Sequence, residues 1–329
     1  MKIIISRTDN LGDVILTLPL AGFFKEQNPE NQVVFIGKNY TQAIIESSVY
    51  VDTFLAKEAI LANPHLLAQE NADAILFVFP DLEIAQIAKK ARIPTRIGTS
   101  HRWWHWWYCN KRVNFSRKNS NLHEAQLNFK LLEGLDLFLE PNFGLIQDWY
   151  GLQAPMLPEN LQNLLSKEQL NIILHPKSKG SAREWHLDSY FALAKQNSDK
   201  QFFITGTQAE GELVSTQKPQ IFELPNVKNL TGKLTLQELI AFIGAVEGIV
   251  ACSTGPLHIA AALGKYALGI YPPIRPMHPA RWQPIGKKAK VLVLEKECSS
   301  CRKSNFCACI NAISVAEVSQ EIAKWQKEA

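Results

Sequence analysis

The chain has 329 residues, more than one hydrophobic core usually organises, so its length predicts two domains. Its residues are 46% hydrophobic and 20% charged, which is close to the globular average and excludes disordered, collagen-like and coiled-coil chains. A net charge of +4 is too small to indicate a nucleic-acid-binding protein.

The apolar N-terminal stretch contains the charged residues Arg7, Asp9 and Asp13. It therefore lacks the uninterrupted apolar segment of a signal peptide. No stretch of the chain reaches the ~18 apolar residues of a membrane-spanning helix. These features predict a cytoplasmic protein.

Short β-branched runs alternate with amphipathic stretches of helical length, a pattern typical of βαβ units around a parallel sheet. In the first half, strands are predicted over residues 2–6, 33–37, 74–79 and 96–98. A helix is predicted over residues 13–27, with a kink at Pro19. The pattern restarts in the second half, with strands over 171–175, 202–205, 248–251, 267–271 and 291–294 and helices over 187–196, 235–246 and 256–263.

These two sets predict an α/β protein with two doubly wound, Rossmann-like domains. The first domain is expected over residues 1–160 and the second over 161–313, with a Pro- and Leu-rich linker region at 151–166. A Ser314-x-x-Glu317 capping box predicts a last helix that reaches residue 327, in a C-terminal segment 314–329. Because doubly wound sheets bind ligands at their carboxyl ends, we expect both sheets to face a central cleft.

The turn after the first strand reads T-D-N-L-G-D at residues 8–13. A turn from strand to helix exposes backbone N–H groups, and this one also presents a carboxylate. The dinucleotide fingerprint requires G-x-G-x-x-G, and only Gly12 is present, which argues against a nicotinamide cofactor. Asp13 is therefore a candidate general base. Its position would equally suit a carboxylate that only complements the helix dipole.

Two turns in the second half have features of phosphate-binding sites. The sequence C-S-T-G-P-L-H at 252–258 follows a predicted strand, and its glycine and proline suit close backbone approach at a helix start. A capped helix start would explain the same residues without a ligand. The loop H-P-K-S-K-G-S-A-R-E-W at 175–185 combines small residues with three cations, which suit a diphosphate. A solvated loop is the alternative for that segment.

Several motifs occur together, in order, in a known family. They are L-G-D and T-L-P after the first strand, the H-P-x-S loop that ends at Trp185, N-L-T-G-K at 229–233, and S-T-G-P-L-H-I-A-A-A-L-G at 253–264 followed by a Pro-, Arg- and Trp-rich segment. From Met1 to about Ile313 the chain resembles glycosyltransferase family 9. Members of this family are the ADP-heptose:lipopolysaccharide heptosyltransferases of Gram-negative bacteria.

The resemblance implies a GT-B architecture, with an acceptor-binding N-terminal domain, a nucleotide-sugar-binding C-terminal domain and an inverting transfer that needs no cofactor. Asp13 matches the proposed catalytic base. Many members have an acidic residue, expected to contact the donor sugar, where this chain has Ser253, which leaves a different sugar open. Arg183 takes the place of a phosphate-binding lysine. The expected donor-binding residues are Lys177, Ser178, Lys179, Arg183, Asn229, Lys233, Ser253, Thr254, Gly255, Pro256, Leu257 and His258.

Residues 91–120 contain seven Lys and Arg residues and no acidic residue. Within them, H-R-W-W-H-W-W-Y at 101–108 places four tryptophans beside these cations. Such a segment suits an anionic membrane interface or an acidic lipopolysaccharide core. Stacking on nucleic acid and packing inside the domain are the alternatives. The pair His123-Glu124 resembles a family H-E pair and would equally cap a helix. The expected acceptor-binding residues are Thr8, Gly12, Arg102, Lys111, Arg112 and Arg117.

Four of the six cysteines form the pattern C-x2-C-x5-C-x-C, at Cys298, Cys301, Cys307 and Cys309. In a reducing compartment they are not expected to form disulfides. Four thiolates could hold zinc, but the spacing is tighter than that of two separated C-x-x-C pairs. The pattern therefore favours unligated or structural cysteines over a zinc site.

From the sequence we expect a GT-B glycosyltransferase that moves heptose from ADP-heptose to the inner core of lipopolysaccharide. It would be cytoplasmic and peripheral to an anionic surface, the inner face of the inner membrane, with no nucleic-acid partner. Three alternatives remain open at this stage. They are a transferase that uses another nucleotide sugar, a sugar-nucleotide 2-epimerase of the same architecture, and a non-catalytic protein that binds nucleotide sugars.

Overall fold

The computed structural model describes residues 1–275, 277–296, 298, 301 and 307–327. The chain divides into two compact units, Met1–Gln153 and Ala154–Ala329. The division comes a few residues before the predicted end of the first domain at residue 160, and Ala154 lies against Gly244 of the second unit. The last two residues of the segment predicted over 314–329 lie outside the described residues.

The first unit contains a six-stranded sheet in which every neighbouring pair of strands is parallel. Its first strand, K-I-I-I-S, is almost entirely buried, as β-branched strands of a sheet covered on both faces are. The strands are β1 (Lys2–Ser6), β2 (Gln32–Gly37), β3 (Thr53–Ala56), β4 (Ala74–Phe77), β5 (Thr95–Thr99) and β6 (Lys111–Val113). Their order in the sheet is β3-β2-β1-β4-β5-β6.

The helices of the first unit are mostly short. They are α1 (Leu11–Ile15), α2 (Pro19–Gln27), α3 (Gln42–Glu46), α4 (Lys57–Ala62), α5 (His65–Gln69), α6 (Leu82–Lys90), α7 (His105–Tyr108), α8 (Glu124–Phe129) and α9 (Phe143–Asp148), with 3-10 turns at Asn39–Thr41 and Lys130–Leu135. The prediction of one kinked helix over 13–27 is wrong, because the helix is interrupted between Ile15, where α1 ends, and Pro19, where α2 begins. Pro19 has a fixed φ and no N–H, so it fits the first turn of α2 better than a helix interior.

The second unit repeats this architecture with a second parallel sheet. Its strands are β7 (Asn171–His175), β8 (Gln201–Ile204), β9 (Val227–Asn229), β10 (Gly248–Cys252), β11 (Tyr266–Tyr271) and β12 (Ala289–Val293), in the order β12-β11-β10-β7-β8-β9. Its helices are α10 (Glu159–Gln162), α11 (Leu187–Gln196), α12 (Gln208–Gln217), α13 (Leu236–Ala245), α14 (Gly255–Ala262), α15 (Pro279–Trp282), α16 (Ala308–Asn311) and α17 (Val315–Ile322), with a 3-10 turn at Pro219–Glu223.

The capping box at Ser314 is confirmed: its hydroxyl accepts the N–H of Glu317, whose carboxylate accepts the N–H of Ser314. The helix that it starts ends at Ile322, earlier than the predicted residue 327. The strands β3, β6 and β9 were not predicted. All three lie at the edge of a sheet, where a short strand with one neighbour needs less β-branched sequence than a central strand does.

Each sheet has the doubly wound order 3-2-1-4-5-6 when its strands are counted within the unit. The predicted α/β fold with two Rossmann-like units is therefore confirmed. The direction of winding reverses between β1 and β4 and between β7 and β10. Ligands of such sheets bind at the carboxyl ends of the strands at this reversal. The turns singled out by the sequence follow β1, β7 and β10, so each lies at a reversal point.

Candidate active site

A buried arginine organises the turn after β1. Arg7 is only 3% exposed, and its Nε donates to Oδ1 of Asp9 at 2.7 Å, while Nη2 donates to Oδ1 of Asp13. Its Nη1 faces Oε1 of Glu124 at 3.2 Å and Oδ1 of Asn128 at 3.4 Å. Three carboxylates therefore share one guanidinium at the carboxyl end of β1.

This crowding sets the proton affinity of Asp13. Burial raises the pKa of Asp13 to about 6, the charges of Asp9 and Glu124 add to the rise, and Arg7 opposes it. A carboxylate with such a pKa is mostly ionised at neutral pH and still basic enough to accept a proton from a hydroxyl. Asp13 does lie in the first turn of α1, as the dipole interpretation requires, but its side chain is held by Arg7.

The start of α8 completes this cluster. The His123 ring caps the helix, since Nδ1 accepts the N–H of Ala125 in a capping box with Gln126. The next residue, Glu124, is 1% exposed and pairs with both Arg7 and Arg117. The Arg117 Nη2 donates to Oδ1 of Asn128 and to the carbonyl of Val78, both at 3.1 Å. Arg117, predicted to bind the acceptor, is thus engaged with the protein itself.

The other predicted acceptor residues have different surroundings. The Thr8 side chain is buried and donates to Oδ2 of Asp81 at 2.7 Å, whereas Gly12 is part of α1 and half-buried. The remaining three, Arg102, Lys111 and Arg112, are exposed cations of residues 101–112, the tryptophan-rich segment.

That segment presents most of its aromatic surface to solvent. The exposed fractions are 74% for Trp103, 62% for Trp106 and 66% for Trp107, whereas Trp104 is 8% exposed and belongs to the core of the first unit. The Arg112 guanidinium stacks on the Trp106 ring at 4.2 Å. Packing inside the domain therefore accounts for the buried Trp104 but not for the three exposed tryptophans.

In the second unit, the loop after β7 is folded around Glu184. The Ser178 N–H and hydroxyl both donate to Oε1 of Glu184, at 2.9 and 3.0 Å, and Lys177 Nζ lies 3.1 Å from Oε2. Lys179 is exposed and has a φ of 50°. Two of the predicted donor-binding residues, Lys177 and Ser178, are therefore bound by a carboxylate of their own loop.

The turn after β10 keeps the features expected of a phosphate site. Thr254 is the N-cap of α14, and Pro256 lies in the first turn. The Thr254 Oγ1 atom is buried and has no hydrogen-bond partner among the described residues. Leu257 and His258 are buried beneath this turn, Gly255 is half-buried, and the Ser253 hydroxyl hydrogen-bonds Tyr271.

Lys177 and Arg183 line one cavity of about 580 Å³. Thr254 and His258 are not among the residues that line it. Arg183 donates from Nη2 to the carbonyl of Cys301 at 3.2 Å, and its buried Nε has no partner in the part of the chain that the structure describes. The structure therefore divides the predicted donor residues between this cavity and the turn after β10.

The predicted donor residues Asn229 and Lys233 are farther along that unit. Asn229 accepts the N–H and hydroxyl of Thr231 through Oδ1, at 3.0 and 2.7 Å, which closes the turn after β9. Lys233 is exposed. The Asn229 side chain thus stabilises this turn.

The thiols of the cysteine-rich segment, residues 298–309, lie close together. The Sγ atoms of Cys298, Cys301 and Cys309 all lie within 4.8 Å of one another. No disulfide joins any of the six cysteines, all of which are described. The residues between them at 299–300 and 302–306 lie outside the described residues.

Sequence reasoning assigned no site role to two charged residues that define these sites, Arg7 and Glu184, and it singled out Glu124 only as part of the His123-Glu124 pair. Arg7 and Glu124 are separated by 117 positions in the chain, and no local pattern connects them. The one available signal for Arg7 was an arginine that directly follows a buried strand, at the start of a motif that already contained two aspartates.

No helix among the described residues combines the length and the apolar character needed to cross a membrane.

Comparison with known proteins agrees with this architecture. A glycosyltransferase of Haemophilus influenzae is 26% identical over 310 residues, which cover 86% of this chain and 86% of that protein. The structure of a family 9 glycosyl transferase from Veillonella parvula superposes with a TM-score of 0.76 at 20% identity, over 98% of this chain and 96% of that one. The ADP-heptose lps heptosyltransferase II of E. coli gives 0.74 at 20% identity, over 98% of both chains. These structures establish a GT-B fold.

The sequence model that describes glycosyltransferase family 9 (heptosyltransferase) matches residues 61–308. This range includes the phosphate-type loop after β7, the turn after β10 and three of the four clustered cysteines, and it covers most of the chain. The protein therefore belongs to glycosyltransferase family 9 and is a glycosyltransferase.

Proposed function

We propose that this enzyme transfers heptose from ADP-heptose to an inner-core sugar of lipopolysaccharide, with inversion and without a cofactor. The observation that carries the proposal is the Asp13 carboxylate, held by Arg7 at the carboxyl end of β1 with its pKa raised to about 6. The choice of donor and acceptor is supported by the E. coli heptosyltransferase to which the chain is similar.

In the proposed reaction Asp13 takes the proton of an acceptor hydroxyl as that oxygen attacks the anomeric carbon of the donor. The bond from this carbon to the diphosphate oxygen breaks in the same step, and ADP leaves with the bonding electrons. One displacement inverts the anomeric centre and requires no carboxylate nucleophile, unlike a retaining mechanism. Arg7 positions Asp13, and Glu124 positions Arg7.

For the leaving diphosphate we propose the turn after β10. The backbone N–H groups at the start of α14 and the Thr254 hydroxyl would donate to phosphate oxygens. The register pairs Ala251 of β10 with His175 of β7, so the loop that carries Lys177 and Ser178 starts beside this turn. Lys177 and Ser178 would release Glu184 and bind phosphate in its place. Arg183 would donate to phosphate through its buried Nε.

A donor screen tests this proposal. The purified chain is titrated calorimetrically with ADP-heptose and with other ADP- and UDP-sugars, and each ligand that binds is incubated with heptose-deficient lipopolysaccharide. We expect ADP-heptose to bind most tightly and the product mass to increase by one heptose residue. Transfer of a different sugar would overturn the donor assignment, and binding without any transfer or epimerisation would indicate a non-catalytic protein.

Replacing Arg183 with Ala should weaken the binding of ADP by about ten- to a hundredfold, because a charge-assisted phosphate contact is worth about 1.5–3 kcal/mol. Adenosine, which has no phosphate, should bind as it does to the wild type. Isothermal titration with both ligands measures the difference. Lys195→Ala removes an exposed cation of α11 and serves as the matched control. Equal losses for ADP and adenosine would place Arg183 away from the diphosphate.

We also propose that the tryptophan-rich segment holds the enzyme at an anionic membrane surface, where a lipid-borne acceptor would be located. Each cation near such a surface contributes on the order of 1 kcal/mol. The chain should therefore co-sediment with phosphatidylglycerol vesicles at low salt and be released as added salt screens the attraction.

The matching variant replaces the exposed Trp103, Trp106 and Trp107 with Ser and keeps the buried Trp104. It should remain folded and lose most of the vesicle binding. Phe138→Ser is the control, since Phe138 is 77% exposed in the same unit and lies outside the segment. A folded triple variant that sediments with vesicles like the wild type would exclude the membrane role.

A further inference from the structure

The thiols of the cysteine-rich segment converge in a way that catalysis does not require. Cys298, Cys301 and Cys309 place their Sγ atoms within 4.8 Å of one another, and the Sγ atoms of Cys301 and Cys309 are 3.7 Å apart. The thiol of Cys307 also interacts with that of Cys301. Three thiols of the C-x2-C-x5-C-x-C pattern therefore form one cluster, and the fourth, that of Cys307, lies beside Cys301.

These spacings match the edges of a thiolate coordination tetrahedron. Zinc–sulfur bonds of about 2.3 Å in tetrahedral geometry place neighbouring sulfurs ~3.8 Å apart, close to the separation of Cys301 and Cys309. Disulfide-bonded sulfurs would be about 2.05 Å apart. The Cys301 N–H also points at the Cys298 sulfur, at 3.5 Å, and N–H groups directed at sulfur stabilise its anionic form.

We propose that Cys298, Cys301 and Cys309 bind one zinc ion, with Cys307, which lies beside Cys301, as the fourth ligand. An all-sulfur ligand set suits zinc and disfavours magnesium or calcium, which take oxygen ligands. Binding forms four Zn–S bonds and releases the thiol protons to solvent, and no atom changes its oxidation state. With four protein ligands the site is closed, which is typical of a structural ion.

The position of the cluster suggests what this ion stabilises. The carbonyl of Cys301 accepts from Nη2 of Arg183 at 3.2 Å. Trp185 Nε1 donates to the carbonyl of Ile313 at 3.0 Å, and the His186 N–H donates to Oδ1 of Asn311 at 2.9 Å. Three nearly successive residues of the loop after β7 are thus hydrogen-bonded to the cysteine-rich segment, through Cys301, or to residues just after it, Asn311 and Ile313.

The ion would therefore fix the carbonyl that orients Arg183 and one wall of the cavity, which Cys307 and Asn311 line. This second step rests on the proposed function, because it assumes that Arg183 contacts the donor diphosphate. The zinc site itself does not depend on that assumption. The two steps can be tested separately.

The first test is the metal content of the full chain, purified without added metal and measured by plasma mass spectrometry. We expect about one zinc ion per chain. Cys309→Ser should lose most of the zinc, while Cys109→Ala, which changes a buried cysteine of the first unit, should retain it. Should Cys309→Ser fail to fold, wild-type protein treated with a chelator and reloaded with Co²⁺ should show the intense visible absorption of tetrahedral thiolate-bound cobalt.

Absence of metal from the wild type together with no cobalt spectrum would overturn the site, as would a mass 2 Da lower that indicates a disulfide. Iron at one ion per chain would overturn the assignment to zinc. The second test measures ADP and adenosine binding before and after chelation. We expect the Kd for ADP to rise about tenfold, with adenosine unaffected, if Arg183 loses its orientation.

If removal of zinc leaves the ADP affinity unchanged, the link between the ion and Arg183 fails. If the zinc-loaded chain does not bind ADP at all, the proposed donor fails and the zinc site stands.

Discussion

Asp13→Asn should reduce turnover by about 10²- to 10⁴-fold, the usual contribution of a general base. The amide matches the carboxylate in shape but cannot take the proton of the attacking hydroxyl. Donor affinity should change little, because the donor contacts that we propose all belong to the second unit. Single-turnover transfer measures the rate, and titration with the donor measures the affinity.

Asp9→Asn provides the matched control for this variant. Asp9 is also bound by Arg7, with its carboxylate 2.7 Å from Nε, but it is not the proposed base. We expect less than a tenfold loss of turnover for Asp9→Asn. Near wild-type turnover in a folded Asp13→Asn protein would show that another group removes the proton.

The pH dependence of the wild type provides an independent test of Asp13. The base must be ionised to act, and burial raises the pKa of Asp13 to about 6. The value of kcat/KM should therefore fall on the acid side with a midpoint near pH 6. An acid limb centred near pH 4, typical of an exposed carboxylate, would contradict the proposed environment.

Arg7→Met should lower the free energy of unfolding by about 3–5 kcal/mol at neutral pH, because removal of one partner leaves buried charge without compensation. Arg7 is 3% exposed and binds Asp9, Asp13 and Glu124. Methionine retains much of the apolar volume, so the loss comes mainly from the carboxylates.

The loss should shrink as the pH falls from above neutrality toward about 6, the pKa of Asp13 in the wild type, because below that value Asp13 is protonated in both folded proteins. Without Arg7 the folded-state pKa of Asp13 rises further above its unfolded value, so protonation favours the folded state and stability is lost as the pH rises through the folded pKa. Denaturation in urea at several pH values measures this. Arg112→Met, at an exposed cation stacked on Trp106, should cost no more than about 1 kcal/mol. A loss of that size for Arg7→Met would contradict the proposed role of Arg7.

The sequence by itself determined the central strands of both sheets and the turns that carry chemistry. Strands such as β1 and β7 are runs of β-branched residues, and burial on both faces imposes that composition locally. The motif with Asp13, the turn with Thr254 and the C-terminal capping box could also be located from the sequence. Each is a short pattern that satisfies backbone groups within a few residues.

Only the tertiary structure decided which of these residues meet. The order of strands in the second sheet places β7 beside β10 and thus the two phosphate-type turns side by side. Arg7 reaches Glu124 across 117 positions, and the thiols of Cys298, Cys301 and Cys309 converge although the sequence spacing favoured cysteines without a metal. Contacts of this kind depend on how distant segments pack, and local periodicity reports only which side of its own strand or helix a residue buries.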